Sequence, residues 1–221
     1  MKVLLSWSSG KDAAWALHCL RRTYPGAVQG LMTTINEAFG RVAMHGVRRS
    51  VLEAQARAAG LPLYCVGLPW PCSNEEYEQR MAAAVAGFVA DGYTHVAFGD
   101  LFLEDVRRYR EERLAGSGLE PLFPLWQMDT RALAASMLDG GLRATIATVD
   151  PRLLDASMAG RTFDKAFLSA LPATVDPCGE RGEFHSCVWD GPMFTSPLDV
   201  MTGDVVARDG FVFADIRLCT E

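Results

Sequence analysis

Short apolar runs alternate with stretches of helical period along most of this chain. Residues 2–7, KVLLSW, read as a first strand, and Asp12 to Arg22 as a helix with Ala16, Leu17 and Leu20 on one face. The run AVQGLMTTI reads as a second strand, and VRRSVLEAQARAAG as a helix stopped by Gly60. LPLYCVGL is a third strand. A long helix follows from Ser73, with Glu76 three residues on as in a capping box, and ends at Gly92. THVAFGD is a fourth strand, Glu104 to Ala115 a helix, and LEPLFPLW an extended, proline-limited segment.

Strand, helix and strand at this spacing predict a parallel sheet covered by helices on both faces. Ligands of such sheets bind outside the carboxyl ends of the strands. Ser8 to Asp12, Thr33 with Thr34, and Gly99 with Asp100 all follow strands in this way. The pattern changes after residue 127. A helix capped by Asp129, the strand LRATIATVD and a helix within 160–171 precede a segment rich in glycine, proline and aromatics. The alternation around Asp209-Gly210 predicts a hairpin. Two domains are expected, 1–127 and 128–221.

Composition narrows the partners. The chain has 221 residues, 49% of them hydrophobic, and a formal net charge of −6. That balance gives no general affinity for nucleic acid or anionic membrane. The apolar runs are shorter than the roughly 18 residues a membrane span needs. The first of them is too short for the centre of a signal peptide, so a cytoplasmic location is expected. Six cysteines without a CxxC are too sparse for a disulfide scaffold. Cys178, His185 and Cys187 lie close in sequence, but their spacing fits no zinc pattern, and reduced thiols are the expected state.

SSGKD stands between a strand and a helix. A helix start offers free amides and a positive dipole end, Gly10 permits close approach, and Ser8, Ser9 and Lys11 add donors. Either a phosphate cradle or a capped surface turn satisfies this pattern. Asp12 suits a cap or a Mg²⁺ carried by a nucleotide. The loop is neither GxxxxGK[ST] nor GxGxxG, which argues against P-loop and dinucleotide enzymes.

SSGKDA after an N-terminal strand resembles the SGGKDS loop of the ATP pyrophosphatases, the PP-loop or adenine-nucleotide α-hydrolase-like superfamily. FGDLFLEDVRRYREERLAGSGLEPLFPLW resembles the segment that closes the nucleotide-binding half of the diphthine–ammonia ligase family, and CGERGEFHS that family's C-terminal signature. The chain departs at Ser9, where the family has glycine, and at Ala13, where it has serine.

The resemblance implies a HUP-type, doubly wound α/β sheet of strand order 3-2-1-4-5, followed by a smaller α+β domain. It implies ATP and Mg²⁺ as cofactors and cleavage of ATP between its α and β phosphates. A carboxylate, on an elongation factor 2-like protein or on a small molecule, is adenylated and then amidated by ammonia. Ser6, Ser8, Ser9, Gly10, Lys11, Asp12, Thr33, His45 and Gly99 are the expected nucleotide-site residues. Asp12 and Asp100 are the expected Mg²⁺ ligands, and Lys11, Asp100, Glu183 and His185 the expected catalytic residues. Arg107, Cys178, Glu180 and Glu183 are expected to bind the substrate. A sulfur nucleophile, a nucleotide-binding regulatory module and a structural protein remain alternatives, and a homodimer is compatible with the sequence.

Overall fold

The computed structural model describes residues 1–42 and 46–220. Its first sheet contains β1 (Val3–Ser6), β2 (Val28–Asn36), β3 (Arg41–Val42), β4 (Leu63–Leu68), β5 (His95–Ala97) and β6 (Glu120–Leu122). The parallel strands lie in the order β4-β2-β1-β5-β6. Counted along the chain without β3, that is the expected 3-2-1-4-5. β3 is a short antiparallel strand on the end of β2, pairing Ile35 with Val42, which the sequence pattern does not predict.

β1 is central, and its apolar run serves both faces of the sheet. Val3 and Leu5 enter one core while Leu4 enters the other. The first core lies under α1 (Lys11–Thr23) and α2 (Arg49–Ala59) and runs on without a break into the second half of the chain, through Met137, Ile146 and Phe184. The second core lies under α3 (Asn74–Ala90) and α4 (Glu104–Leu114).

Local signals place these helices. Gly60 ends α2 in the left-handed conformation, φ 65°. The hydroxyl of Ser73 accepts from the amide of Glu76 at 3.1 Å, capping α3. α3 is nonetheless loosely seated, and Phe88 is its one fully buried residue among those described.

α5 (Thr130–Asp139) starts from the expected cap, Asp129 accepting from Ala132 N at 2.7 Å. Then come β7 (Arg143–Val149), α6 (Lys165–Ala170), β8 (Phe184–Asp190), β9 (Val200–Arg208) and β10 (Phe211–Leu218). The second sheet is antiparallel, in the order β8-β7-β10-β9. Asp209 and Gly210 join β9 to β10 with φ of 52° and 82°, the two positive values a type I′ turn needs. β8, which carries the end of the CGERGEFHS segment, packs against α1 and so reaches the phosphate-type loop of the first sheet.

Candidate functional site

Two cavities open at the carboxyl ends of the first sheet. The larger, about 700 Å³, is bordered by Ser6, Trp7, Ser8, Thr33, Thr34 and Leu68 at the strand ends and by Met81, Val85 and Phe88 of α3 deeper in. α3 leaves this room because its side chains, apart from Phe88, are not buried against the sheet. The smaller, about 200 Å³, is polar. Ser6, Ser8, Gly10, Lys11 and Asp12 line it from the loop, Gly99 and Asp100 from the end of β5, and Glu180, His185 and Ser186 from the second half. Ser6, Ser8, Phe98 and Arg110 border both cavities.

The loop leads from β1 into α1 with Gly10 just before the helix. Ser9 sits at φ 70°, where the family has glycine. The position requires the left-handed region, and a serine there is strained. Its side chain points away from both cavities, with Oγ buried against the Cys187 thiol and short of a full hydrogen bond. The Ser9 carbonyl accepts from Val188 N at 3.0 Å and from Gln55 Nε2 at 3.2 Å. Gln55 also donates to Val188 O at 2.6 Å and accepts from Trp7 Nε1 at 2.9 Å. One buried amide side chain thus joins β1, α2 and β8 around the loop.

Gly99 explains how the end of β5 meets the loop. A Cβ there would stand 2.9 Å from the backbone of Asp12 and Ala13. Only glycine lets the two chain segments come this close.

Lys11 is 1% exposed. Its ammonium donates to Asp12 Oδ2 at 2.9 Å and to the Cys178 carbonyl, and its amide donates to Ser186 Oγ at 3.1 Å. Burial opposes the ammonium's charge, but Asp12 and the neighbouring carboxylate of Glu180 more than offset this and hold the pKa up. Burial also pushes the Asp12 carboxyl up, against the pull of Lys11, and its Oδ1 is buried without a partner.

Asp100 is gripped by Arg110, with Nε 2.5 Å from one oxygen and Nη2 3.1 Å from the other. Both expected Mg²⁺ ligands are therefore engaged by a cation. Among the described residues no three His, Cys, Asp or Glu converge.

Glu180 accepts from Leu101 N at 2.7 Å, and burial pushes its pKa up to about 7. Burial, helped by the charge of Lys11, lowers His185 to about 4, so its ring is neutral at physiological pH.

Four expected site residues lie elsewhere. Arg107 pairs with Glu111 at 2.7 Å and lies over Phe123 and Trp126, borders neither cavity, and is replaced at the site by Arg110 one turn on. Both oxygens of Glu183 are taken by backbone, Asp176 N at 3.0 Å and Arg181 N at 2.9 Å, so it shapes the turn and does not line the cavity. The Cys178 side chain is buried with its thiol on Thr130 O, burial raising its pKa, and only its carbonyl serves the site. Ser9 faces Cys187. His45 lies outside the described residues. Ser186 and Gln55, which the sequence reading does not single out, both hold the loop. Ser186 is the last residue of the quoted signature, while Gln55 has no sequence signal beyond being a polar residue within a helix.

Comparison with known proteins finds similar chains. The family model described as the diphthamide synthase C-terminal domain matches residues 129–217. The diphthine–ammonia ligase of Homo sapiens is 31% identical over 120 residues, 52% of this chain and 45% of that protein. That of Bos taurus is 30% identical over the same shares. That of Danio rerio is 27% identical over 190 residues, 77% of this chain and 72% of that protein. The matched part thus spans about half the length of the two mammalian relatives. Among the described residues no helix is long and apolar enough to cross a membrane. Its C-terminal part is matched by that family model and its loop stands at the head of a parallel sheet of the expected order, and over these parts the chain is similar to the diphthine–ammonia ligases.

Proposed function

We propose that this chain is an ATP-dependent, AMP-forming amide ligase, with residues 1–127 holding the nucleotide and 128–221 the acid. The observation that carries the reading is the pair of joined cavities at the strand ends. One is roomy and mostly apolar, as a base and ribose require. The other is polar and built on a helix start, as phosphates require. By the names of the relatives the acid is diphthine and the nucleophile ammonia; the carrier implied by the motif resemblance is an elongation factor 2-like protein.

In the first step a carboxylate oxygen of the acid bonds to the α-phosphorus, and the bond to the bridging oxygen breaks, releasing pyrophosphate. In the second, ammonia bonds to the acyl carbon, AMP leaves with the bonding electrons, and one proton is lost as the amide forms. Thr33 and Thr34 border the apolar cavity where the nucleoside would lie. Gly10 and the start of α1 face the polar cavity where the phosphates would lie. Mg²⁺ carried by the nucleotide would supply counter-charge to its phosphates, and Asp12 and Asp100 line the cavity where it would lie. Glu180, poised near neutrality beside that cavity, is the better matched proton acceptor. His185, held at about 4, is too weak a base for that task and serves as a neutral hydrogen-bonding group.

Calorimetric titration with Mg·ATP, followed by assay of pyrophosphate with ammonium and the candidate acid, tests the reading. Release of AMP and pyrophosphate that depends on the acid supports it. Absence of nucleotide binding refutes it.

A further inference from the structure

Arg110 occupies the junction between the two cavities. It is the only cation among the four residues that border both. Its guanidinium forks onto Asp100 and lies over the Phe98 ring, 4.3 Å from the centroid. The pair is half-buried, with side-chain exposures of 30% for Arg110 and 16% for Asp100, so it is not a solvated rim contact.

We propose that Arg110 is a nucleotide-phosphate ligand that exchanges its pairing with Asp100 for the phosphate nearest the nucleoside when nucleotide binds. This rests on the nucleotide reading above and goes beyond it by assigning the cation and the exchange. Three observations converge on it. A carboxylate presents two oxygens to a guanidinium fork in the manner of a phosphate, so Asp100 occupies the position a phosphate would take. Phe98 holds the plane of the guanidinium, which keeps it oriented once Asp100 is released. The other cations nearby are worse placed. Lys11 is buried on Asp12 and the Cys178 carbonyl, and Arg107 and Arg113 do not border the polar cavity.

The exchange has a consequence for Asp100. Its carboxylate, paired with Arg110 here, becomes available beside the polar cavity only once nucleotide has drawn Arg110 away.

The test is calorimetric titration of the wild-type protein, Arg110→Gln, Arg110→Lys and Asp100→Asn with ATP, AMP and adenosine. Arg110→Gln keeps a planar polar head without the charge, and circular dichroism of each variant confirms its fold. The expected result for Arg110→Gln is a loss of about 10- to 100-fold in affinity for ATP and AMP with adenosine unchanged. Arg110→Lys, which keeps the charge without the fork, lies between. Asp100→Asn, which removes the competing carboxylate, binds AMP as tightly as wild type or more tightly. Equal losses for adenosine and AMP in Arg110→Gln, or no loss for either, would overturn the proposal while leaving the nucleotide reading intact. Failure of the wild-type protein to bind any of the three would overturn both.

Discussion

The amide of Lys11 donates to the hydroxyl of Ser186 at 3.1 Å, joining the start of α1 to β8 across 175 residues of chain. A helix start whose amide would otherwise be free for an anion is thus already satisfied by the protein. The loop and the signature segment form one structure. On the proposed nucleotide reading, Ser186 holds the place a phosphate oxygen would take, and an incoming phosphate would compete with it.

That competition can be measured. Ser186→Ala leaves a buried amide unpaired, which costs about 1–3 kcal/mol in the absence of ligand. It also removes the competitor, so the rise in Tm on adding ATP should be larger in the variant than in wild type. An equal rise would mean that Ser186 does not stand in the phosphate position.

Ser9 carries two penalties, a left-handed backbone and a buried hydroxyl without a full partner. Ser9→Gly relieves both and is expected to stabilise the protein by about 1 kcal/mol, read by chemical denaturation. A less stable variant would show that the contact with Cys187 outweighs the strain.

Gly99→Ala places a methyl against the Asp12 and Ala13 backbone. Backbone cannot yield as a flexible side chain does, so the change should cost about 1–3 kcal/mol and weaken ATP binding at the same time. Unchanged Tm and unchanged affinity would together refute the close approach of β5 to the loop.

Glu180 and His185 give opposite pH dependences. Glu180 is raised to about 7 from an ordinary value of 4.5. Between those values the folded protein holds a proton the unfolded chain has lost, so this group favours folding less as pH rises. His185 is lowered to about 4 from 6.5, so the unfolded chain takes up a proton the folded one refuses, and stability is lost as pH falls through that window. Between about pH 4.5 and 6.5 the two contributions oppose each other. Glu180→Gln removes one of them, and its Tm should fall more steeply than that of wild type from pH 6.5 to 4.5. Parallel profiles would contradict the environment assigned to Glu180.

Asp215 ties the two sheets together. It accepts from Arg48 at 2.7 and 3.0 Å and from Arg41 at 2.8 Å, and the Arg48 and Arg41 guanidiniums hold its carboxyl down at about 2. Asp215→Asn should cost about 1–2 kcal/mol near neutral pH, once the partial exposure of both arginines is discounted. The difference from wild type should shrink as pH falls from the ordinary carboxylate value near 4 towards 2. A constant difference across that range would show that the loss does not come from the charge.

The sequence fared unevenly at the arginines of α4. Arg107, Arg110 and Arg113 repeat every three residues and read as one face, from which Arg107, nearest the end of β5, is the natural choice for the site. The structure distributes them among Glu111, Asp100 and Glu78. Spacing along a helix tells which residues share a face but not what stands opposite them. Glu183 is placed on backbone amides for a related reason. A carboxylate in a glycine-rich turn suits backbone amides as well as a substrate, and its composition does not distinguish the two.

What the sequence by itself determined is local: the apolar runs of β1, β2 and β4, the caps at Ser73 and Asp129, the stop at Gly60 and the Asp209-Gly210 turn. Each follows from side-chain period or from a backbone preference acting within a few residues. The order of the parallel strands and the placing of a nucleotide-type loop came from resemblance of SSGKDA and CGERGEFHS to known motifs. Only the tertiary structure decided that β8 closes on that loop, that Ser186 and the Cys178 carbonyl take up the donors of Lys11, and that Arg110 stands between the cavities. Those are contacts between residues far apart in the chain. They are settled by which surfaces the shared core draws together, and no period or spacing records them.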